Sequence, residues 1–217
     1  MPARVKICGL KTADAMADAL AARADLVGLV FFPPSPRHIG VAEAVPLADF
    51  ARGFAAIVAL IVDADDALIE RIVAEVNPDM FQLHGLETPD RVAEIRERWG
   101  KPVMKAIKVA TSEDAAMALA YKGLADLVLF DAKPPKGADR PGGHGATFDW
   151  HLLDDVRTKV PFMLSGGLTP GNVAAAIAAT GATVVDVSSG VEIAPGVKSP
   201  DLIRQFVRAA HGAPQQQ

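Results

Sequence analysis

The chain has 217 residues, half of them hydrophobic, with one cysteine and a formal net charge of −4. That is enough apolar material for one sizeable core, and the balanced charge carries no block of Lys and Arg, so nucleic acid is not an expected partner. No apolar run reaches the length of a membrane span, a single thiol cannot make an internal disulfide, and strand-like residues begin almost at once, leaving no room for a signal peptide; a reducing cytoplasm is the expected compartment.

Short β-branched or apolar runs alternate with Ala-rich stretches of helical period. In chain order, strand then helix, they are Val5–Cys8 and Ala13–Arg23, Leu26–Phe31 and Val41–Arg52, Ala56–Val62 and Asp65–Val76, and Met80–His84 and Pro89–Trp99. The second half continues with Val103–Lys108 and Ser112–Tyr121, Leu127–Asp131 and Asp149–Lys159, Phe162–Ser165 and Pro170–Ala179, and Val184–Ser188 and Pro200–Ala210. Thr88-Pro89 and Thr169-Pro170 place Pro at a first helical position, and Thr111-Ser112-Glu113-Asp114 opens a helix with acidic residues.

Alternating strands and helices mean parallel βαβ units. Eight of them predict an α/β fold, a single-domain (β/α)8 TIM barrel over residues 1–211, with residues 212–217 as a frayed tail. An open doubly wound sheet is the alternative. Against it, the first strand-to-helix turn reads Cys8-Gly9-Leu10-Lys11, without the glycine fingerprint of that fold.

Barrel enzymes draw their catalytic groups from the C-terminal ends of strands. Side chains alternate along a strand, so Lys6 shares a face with Cys8, Gln82 with His84, Asp131 with Leu127 and Leu129, and Asp186 with Val184 and Ser188. Strands one and eight are neighbours in a closed barrel, so Lys6 and Asp186 are expected to pair beneath Cys8, as a structural pair or as one that tunes the site. Taken alone, Cys8 reads first as a small buried apolar group. Facing Asp131 across the mouth, it becomes half of a thiol–carboxyl pair suited to proton transfer.

Strand seven ends Leu164-Ser165-Gly166-Gly167-Leu168, and strand eight ends Asp186-Val187-Ser188-Ser189-Gly190-Val191-Glu192. Loops after these two strands form the recurrent phosphate site of barrels, because glycine lets backbone N–H groups approach an anion. A third cluster, Pro141-Gly142-Gly143-His144-Gly145, lies in the long segment after strand six. Arg37 follows strand two in a loop stiffened by Pro33, Pro34 and Pro36; it is either a solvated surface arginine or a two-pronged carboxylate holder.

Seven pieces in order carry a resemblance: Lys6-Ile7-Cys8-Gly9, Ser35-Pro36-Arg37, Gln82-Leu83-His84-Gly85, Phe130-Asp131, Gly142-Gly143 leading to Phe148-Asp149-Trp150, and the two loop runs just quoted. The sequence resembles the phosphoribosylanthranilate isomerases of tryptophan biosynthesis. The resemblance implies an Amadori rearrangement, with Cys8 as general base, Asp131 as general acid and Arg37 on the substrate carboxylate. It puts the phosphate on Gly166, Gly167, Ser189 and Gly190, makes His84 and Asp186 candidate pocket neighbours, His84 reading equally as a satisfied structural histidine, and calls for a phosphosugar substrate with neither metal nor organic cofactor. An acid needs Asp131 protonated, and a base at neutral pH favours a modest downward shift of the Cys8 thiol.

Departures from the family pattern fall in loops: His144 and Ala146 in the long segment, and Ser199 after the last-loop lysine. The rival readings are another phosphosugar barrel, either a metal-dependent epimerase or a synthase using Lys105, a non-catalytic phosphosugar binder, and a Cys nucleophile activated by His84. Nothing in the pattern specifies an oligomeric state.

Overall fold

The computed structural model describes residues 2–133 and 147–213. Eight parallel strands close into a barrel in sequential order: β1 (Arg4–Cys8), β2 (Leu26–Phe31), β3 (Ala56–Ile61), β4 (Met80–Leu83), β5 (Val103–Val109), β6 (Leu127–Ala132), β7 (Phe162–Leu164) and β8 (Val184–Val187). Each lies within one residue of its expected ends. The helices are α1 (Ala13–Ala21), α2 (Val41–Ala51), α3 (Asp66–Arg71), α4 (Pro89–Trp99), α5 (Ser112–Ala116), α6 (Val173–Thr180) and α7 (Pro200–His211). No described helix is long and apolar enough to cross a membrane.

Alternation along the strands sorts the core into two compartments. Leu26, Val58, Met104, Ala106, Leu129 and Met163 pack together although they come from five strands around the ring, which places them inside the barrel. Cys8, Val30 and Leu60 form a smaller layer above them, toward the C-terminal ends. The intervening residues, among them Val5, Ile7, Val27, Leu29, Ile57 and Ile61, join the large cluster between barrel and helices. Each fully buried Val, Leu or Ile contributes about 1.5–3 kcal/mol, so the helix-facing layer dominates stability.

Helix starts follow their caps. Thr12 Oγ1 accepts from the Ala15 N–H, Thr88 does the same for Arg91 ahead of Pro89, and Thr111 with Asp114 makes a reciprocal capping box. Four helical expectations are corrected. The Asp65–Val76 segment ends in a π turn, Ile72–Val76, closed by Asn77 in the left-handed region. The Ser112–Tyr121 segment tightens to 3₁₀ geometry over Met117–Tyr121.

The Asp149–Lys159 segment is only a 3₁₀ turn, Trp150–Leu153, followed by turns. Asp149 Oδ1 accepts from the His151 N–H at 3.0 Å, and Asp and Thr residues favour such turns over a helix interior, although Leu153, Val156 and Val160 still bury their apolar face. Finally, α6 begins at Val173 rather than Pro170. Asn172 Oδ1 accepts from Thr169 N–H at 2.7 Å and its Nδ2 donates to Gly167 O at 3.1 Å, closing a side-chain turn before the helix starts.

An unanticipated ribbon follows β8. A short 3₁₀ turn, Ser189–Val191, leads into the antiparallel pair β9 (Glu192–Ala194) and β10 (Val197–Lys198). The Gly142-Gly143-His144-Gly145 cluster and the end of the expected tail, from Pro214, lie outside the described residues.

Candidate active site

The charged centre of the barrel is a closed pair. Lys6 and Asp186 stand in register across β1 and β8, with Nζ 2.8 Å from Oδ1. Ser165 Oγ donates to the other carboxylate oxygen at 3.1 Å. Burial drags the Lys6 ammonium down, but Asp186 and, after it, Cys8 together outweigh it, so Lys6 sits above the ordinary lysine range and stays charged. The pair lies beneath Cys8, as the strand phase predicts.

Cys8 is 4% exposed. Gly28, its register partner on β2, leaves room for it: a Cβ there would lie 2.9 Å from Sγ. Burial pushes the thiol up, Lys6 and Lys198 pull it back, and Asp186 adds to the rise. The net shift is upward, opposite to the one a base at neutral pH favours. Depth is the cause, since a thiolate away from water loses its hydration.

Asp131 ends the inward face of β6, two residues beyond Leu129. Its Oδ1 accepts from the Ala132 N–H at 3.0 Å, and Oδ2 lies 3.3 Å from His84 Nε2. Behind the ring, Gln82 Nε2 is 3.1 Å from His84 Nδ1. With the Gln82 amide nitrogen as donor, Nδ1 accepts and Nε2 carries the ring proton toward Asp131, an orientation that leaves the buried Gln82 Oε1 without a hydrogen bond among the described residues. Both ring nitrogens of His84 are therefore engaged away from Cys8. Lys108, half-buried on the inward face of β5, stands in register with Asp131. Burial pushes its ammonium down, as does nearby Lys105.

Arg37 is buried, not solvated. Its Nε and Nη2 donate to the two oxygens of Glu192 at 2.8 and 2.7 Å, and its stem packs where Gly9 has no Cβ. A guanidinium has five N–H groups, and this contact uses two. Nη1 makes no hydrogen bond to any described residue, and with the second N–H of Nη2 it remains suited to a carboxylate in a two-pronged contact. Glu192 also accepts from Lys198 Nζ at 2.7 Å. Lys198 donates in turn to Ser188 O and Oγ, and Ser188 Oγ donates to Cys8 O at 3.0 Å.

The two glycine corners adopt conformations that need glycine. Gly166 and Gly167 have φ of 86° and 61°, and a Cβ on Gly166 would lie 2.4 Å from Ala132 N. A Cβ on Gly190 would lie 1.9 Å from Leu168 O, so the loops after β7 and β8 press together. No described residue accepts from the N–H groups of Gly166 and Gly167. Ser189 and Gly190 begin a 3₁₀ turn, whose first N–H groups have no intrahelical acceptor. The corner thus gathers backbone donors suited to an anion.

Lys105, the lysine a synthase reading calls on, faces the helix layer instead. It bonds Gly85 O and Glu87 Oε2 at 2.8 and 2.9 Å. Among the described residues, no group of three or more His, Cys, Asp or Glu could hold a metal ion.

Residues 5–209 match the family model described as N-(5'phosphoribosyl)anthranilate (PRA) isomerase. The chain belongs to the phosphoribosylanthranilate isomerase family. Among curated relatives, an N-(5'-phosphoribosyl)anthranilate isomerase of Rhodopseudomonas palustris strain BisB5 is 59% identical over 209 residues, covering 96% of each chain. One from Bradyrhizobium sp. strain BTAi1 is 56% identical over 209 residues, 96% of this chain and 95% of its own. The solved phosphoribosylanthranilate isomerase of Thermotoga maritima superposes with a TM-score of 0.88 at 36% identity, covering 97% of this chain and 99% of that one. A phosphoribosylanthranilate isomerase solved with reduced 1-(o-carboxyphenylamino)-1-deoxyribulose 5-phosphate has a TM-score of 0.85 at 34% identity, with coverage of 97% and 99%.

For this member of the isomerase family, the structure links most of the sequence-chosen residues into two groups. Lys6, Cys8, Asp186, Ser188, Lys198, Glu192 and Arg37 are connected by hydrogen bonds or close charges on the β1–β8 side. Gln82, His84 and Asp131 form the other group. Sequence reasoning assigned no role to Lys198, Glu192, Gln82 or Lys108. Lys108 had a signal, two residues from Ala106 on one strand face. Lys198 had only its place as the last-loop lysine of the family pattern, because its partners depend on a ribbon that no periodicity announced.

Proposed function

We propose that the protein catalyses the Amadori rearrangement of N-(5-phosphoribosyl)anthranilate to 1-(2-carboxyphenylamino)-1-deoxyribulose 5-phosphate, in the cytoplasm. The observation that carries this reading is one thiol and one carboxyl, Cys8 and Asp131, on the inward face at the C-terminal ends of β1 and β6. A barrel enzyme places its acid and base there.

Asp131 as the acid gives a proton to the furanose ring oxygen as the C1′–O bond breaks. The electron pair of the anthranilate nitrogen forms the C=N bond of a Schiff base. Cys8 as thiolate then removes the C2′ proton, and the electrons of that C–H bond flow toward nitrogen to give an enolamine. Tautomerisation to the ketone completes the isomerisation. The cationic Schiff base is the electron sink, so the chemistry runs on the substrate's own atoms. Its charge, developing over Cys8, also counters the burial that disfavours the thiolate.

The substrate carboxylate takes the Nη1–Nη2 edge of Arg37, whose other edge Glu192 holds. The phosphate takes the donors of Gly166, Gly167, Ser189 and Gly190. His84 holds the Asp131 carboxyl in place through its Nε2–H, and Asp186 holds Lys6 beneath the base. A fluorescence assay following loss of phosphoribosylanthranilate, generated in situ because the compound is labile, tests the reading. Enzyme-dependent loss with formation of the aminoketose supports it. Absence of turnover by the folded protein contradicts it.

A further inference from the structure

Cys8 lies among charges that do not cancel. Beneath it, Lys6 and Asp186 form a one-to-one pair. Beside it, two cations, Arg37 and Lys198, share a single carboxylate, Glu192. All three of these side chains are buried, with Lys198 only 2% and Glu192 only 4% exposed at the side chain. One positive charge is left over, and it is anchored through Ser188 to the backbone carbonyl of Cys8. Lys198 Nζ donates to Ser188 O at 3.0 Å and to Ser188 Oγ at 3.3 Å, while that hydroxyl donates to the Cys8 carbonyl. With Glu192 Oε1, these give Nζ three acceptors for three donors, the arrangement of an ammonium.

We propose that Lys198 is a positioning residue for Cys8: its ammonium supplies the surplus positive charge that favours the Cys8 thiolate, and Glu192 limits how much of that charge Cys8 feels. The proposal deepens the reading of Cys8 as the base and rests on it. The ribbon after β8 thereby acquires a purpose. Ser189 to Lys198 is an excursion from the barrel that brings a cation back over the end of β1 and, through Glu192, fixes one edge of Arg37. A buried pair would be costly without such complete partnering. Burial pushes the Lys198 ammonium below the ordinary lysine range and Arg37 adds to the fall, while Glu192 and Cys8 act against it; Lys198 in turn favours the charged form of Cys8.

The groups facing the thiol are Lys6 on its own strand, Asp186 on β8, Lys198 on β10 and, beyond it, Glu192 and Arg37. They make opposite predictions. Cys8 is the only cysteine, so ultraviolet thiolate absorbance followed across pH, taken as the difference from the same protein carrying Cys8→Ala to remove the Tyr121 signal, reports it and needs no turnover. In Lys198→Met the ionisation midpoint rises, and the thiolate fraction at neutral pH falls by roughly tenfold. Lys198→Arg restores most of it. In Glu192→Gln the midpoint falls, because a negative charge is removed from the same network.

An unchanged midpoint in folded Lys198→Met, or a shift of the same sign in Lys198→Met and Glu192→Gln, overturns the proposal. Should Lys198→Met not fold, the Glu192→Gln midpoint decides alone: a fall supports the proposal, and no change or a rise contradicts it. Turnover of Cys8→Ala tests the base assignment separately. A Cys8 that proves dispensable and a Lys198 that leaves the thiol unmoved are therefore distinguishable results.

Discussion

His84 stands between Gln82 and Asp131, with Nε2 3.3 Å from the Asp131 carboxyl and Nδ1 3.1 Å from the Gln82 amide. The ring is therefore held from behind in the tautomer that donates forward. His84→Ala removes the donor that orients the proposed acid. Its kcat is expected to fall about tenfold, the rate equivalent of about 1.4 kcal/mol, with KM little changed. His84→Gln, which keeps a donor, is expected to recover part of the loss. Steady-state kinetics of the two variants check this, and a rise confined to KM would assign His84 to substrate binding instead.

Gly28 gives Cys8 its place. A Cβ on Gly28 would come within 2.9 Å of Sγ, 3.1 Å of the Cys8 Cα and 3.3 Å of its Cβ. Gly28→Ala must therefore turn the thiol or shift β1 against β2. Misplacing a reacting group by about 1 Å costs roughly 10- to 100-fold. Turnover of Gly28→Ala is expected to fall in that range while the protein stays folded, as read by circular dichroism alongside the assay.

Arg37→Ala is expected mainly to raise KM. The Nη1–Nη2 edge is proposed for binding that persists from ground state to transition state, and loss of such binding appears in KM. A pure loss of kcat would place Arg37 in the transition state. Glu192 remains partnered by Lys198 in this variant, so the buried carboxylate is not orphaned.

Much of this arrangement is legible in the sequence, and the limit has a physical reason. Strand phase alone puts Lys6, Cys8, Asp131, His84 and Asp186 on inward faces, because alternation is fixed by the backbone. Neighbourhood of the first and last strands follows from closure, so the Lys6–Asp186 pair is also readable. The partner of Arg37 is not. Glu192 reaches it from a ribbon of two very short strands, and no local pattern says where such a ribbon folds. The helix expected over Asp149–Lys159 fails for a related reason: its buried spacing is intact, but its Asp and Thr residues prefer turns.

Glu87 predicts an acid-dependent stability unrelated to catalysis. Burial pushes its carboxyl up, but the Lys105 ammonium 2.9 Å away and donors from Asp63 N and Gly85 N outweigh that, leaving it below its ordinary value of 4.5. A depressed carboxylate contributes stability that is present above the unfolded value and lost as pH falls through the folded one. Glu87→Gln is therefore expected to unfold more readily than wild type at neutral pH, leaving Lys105 without its carboxylate. The gap should narrow as pH drops below 4.5. Denaturant unfolding of both proteins at neutral and acidic pH measures the difference, and a constant gap would contradict the pairing as its source.

The most direct test is turnover of Cys8→Ala and Asp131→Asn with phosphoribosylanthranilate, each variant first shown to be folded. Loss of the proposed base or of the proposed acid is expected to lower kcat by at least about 10²-fold in each. Near-normal turnover by either variant would contradict the thiol and carboxyl as the pair that moves the protons.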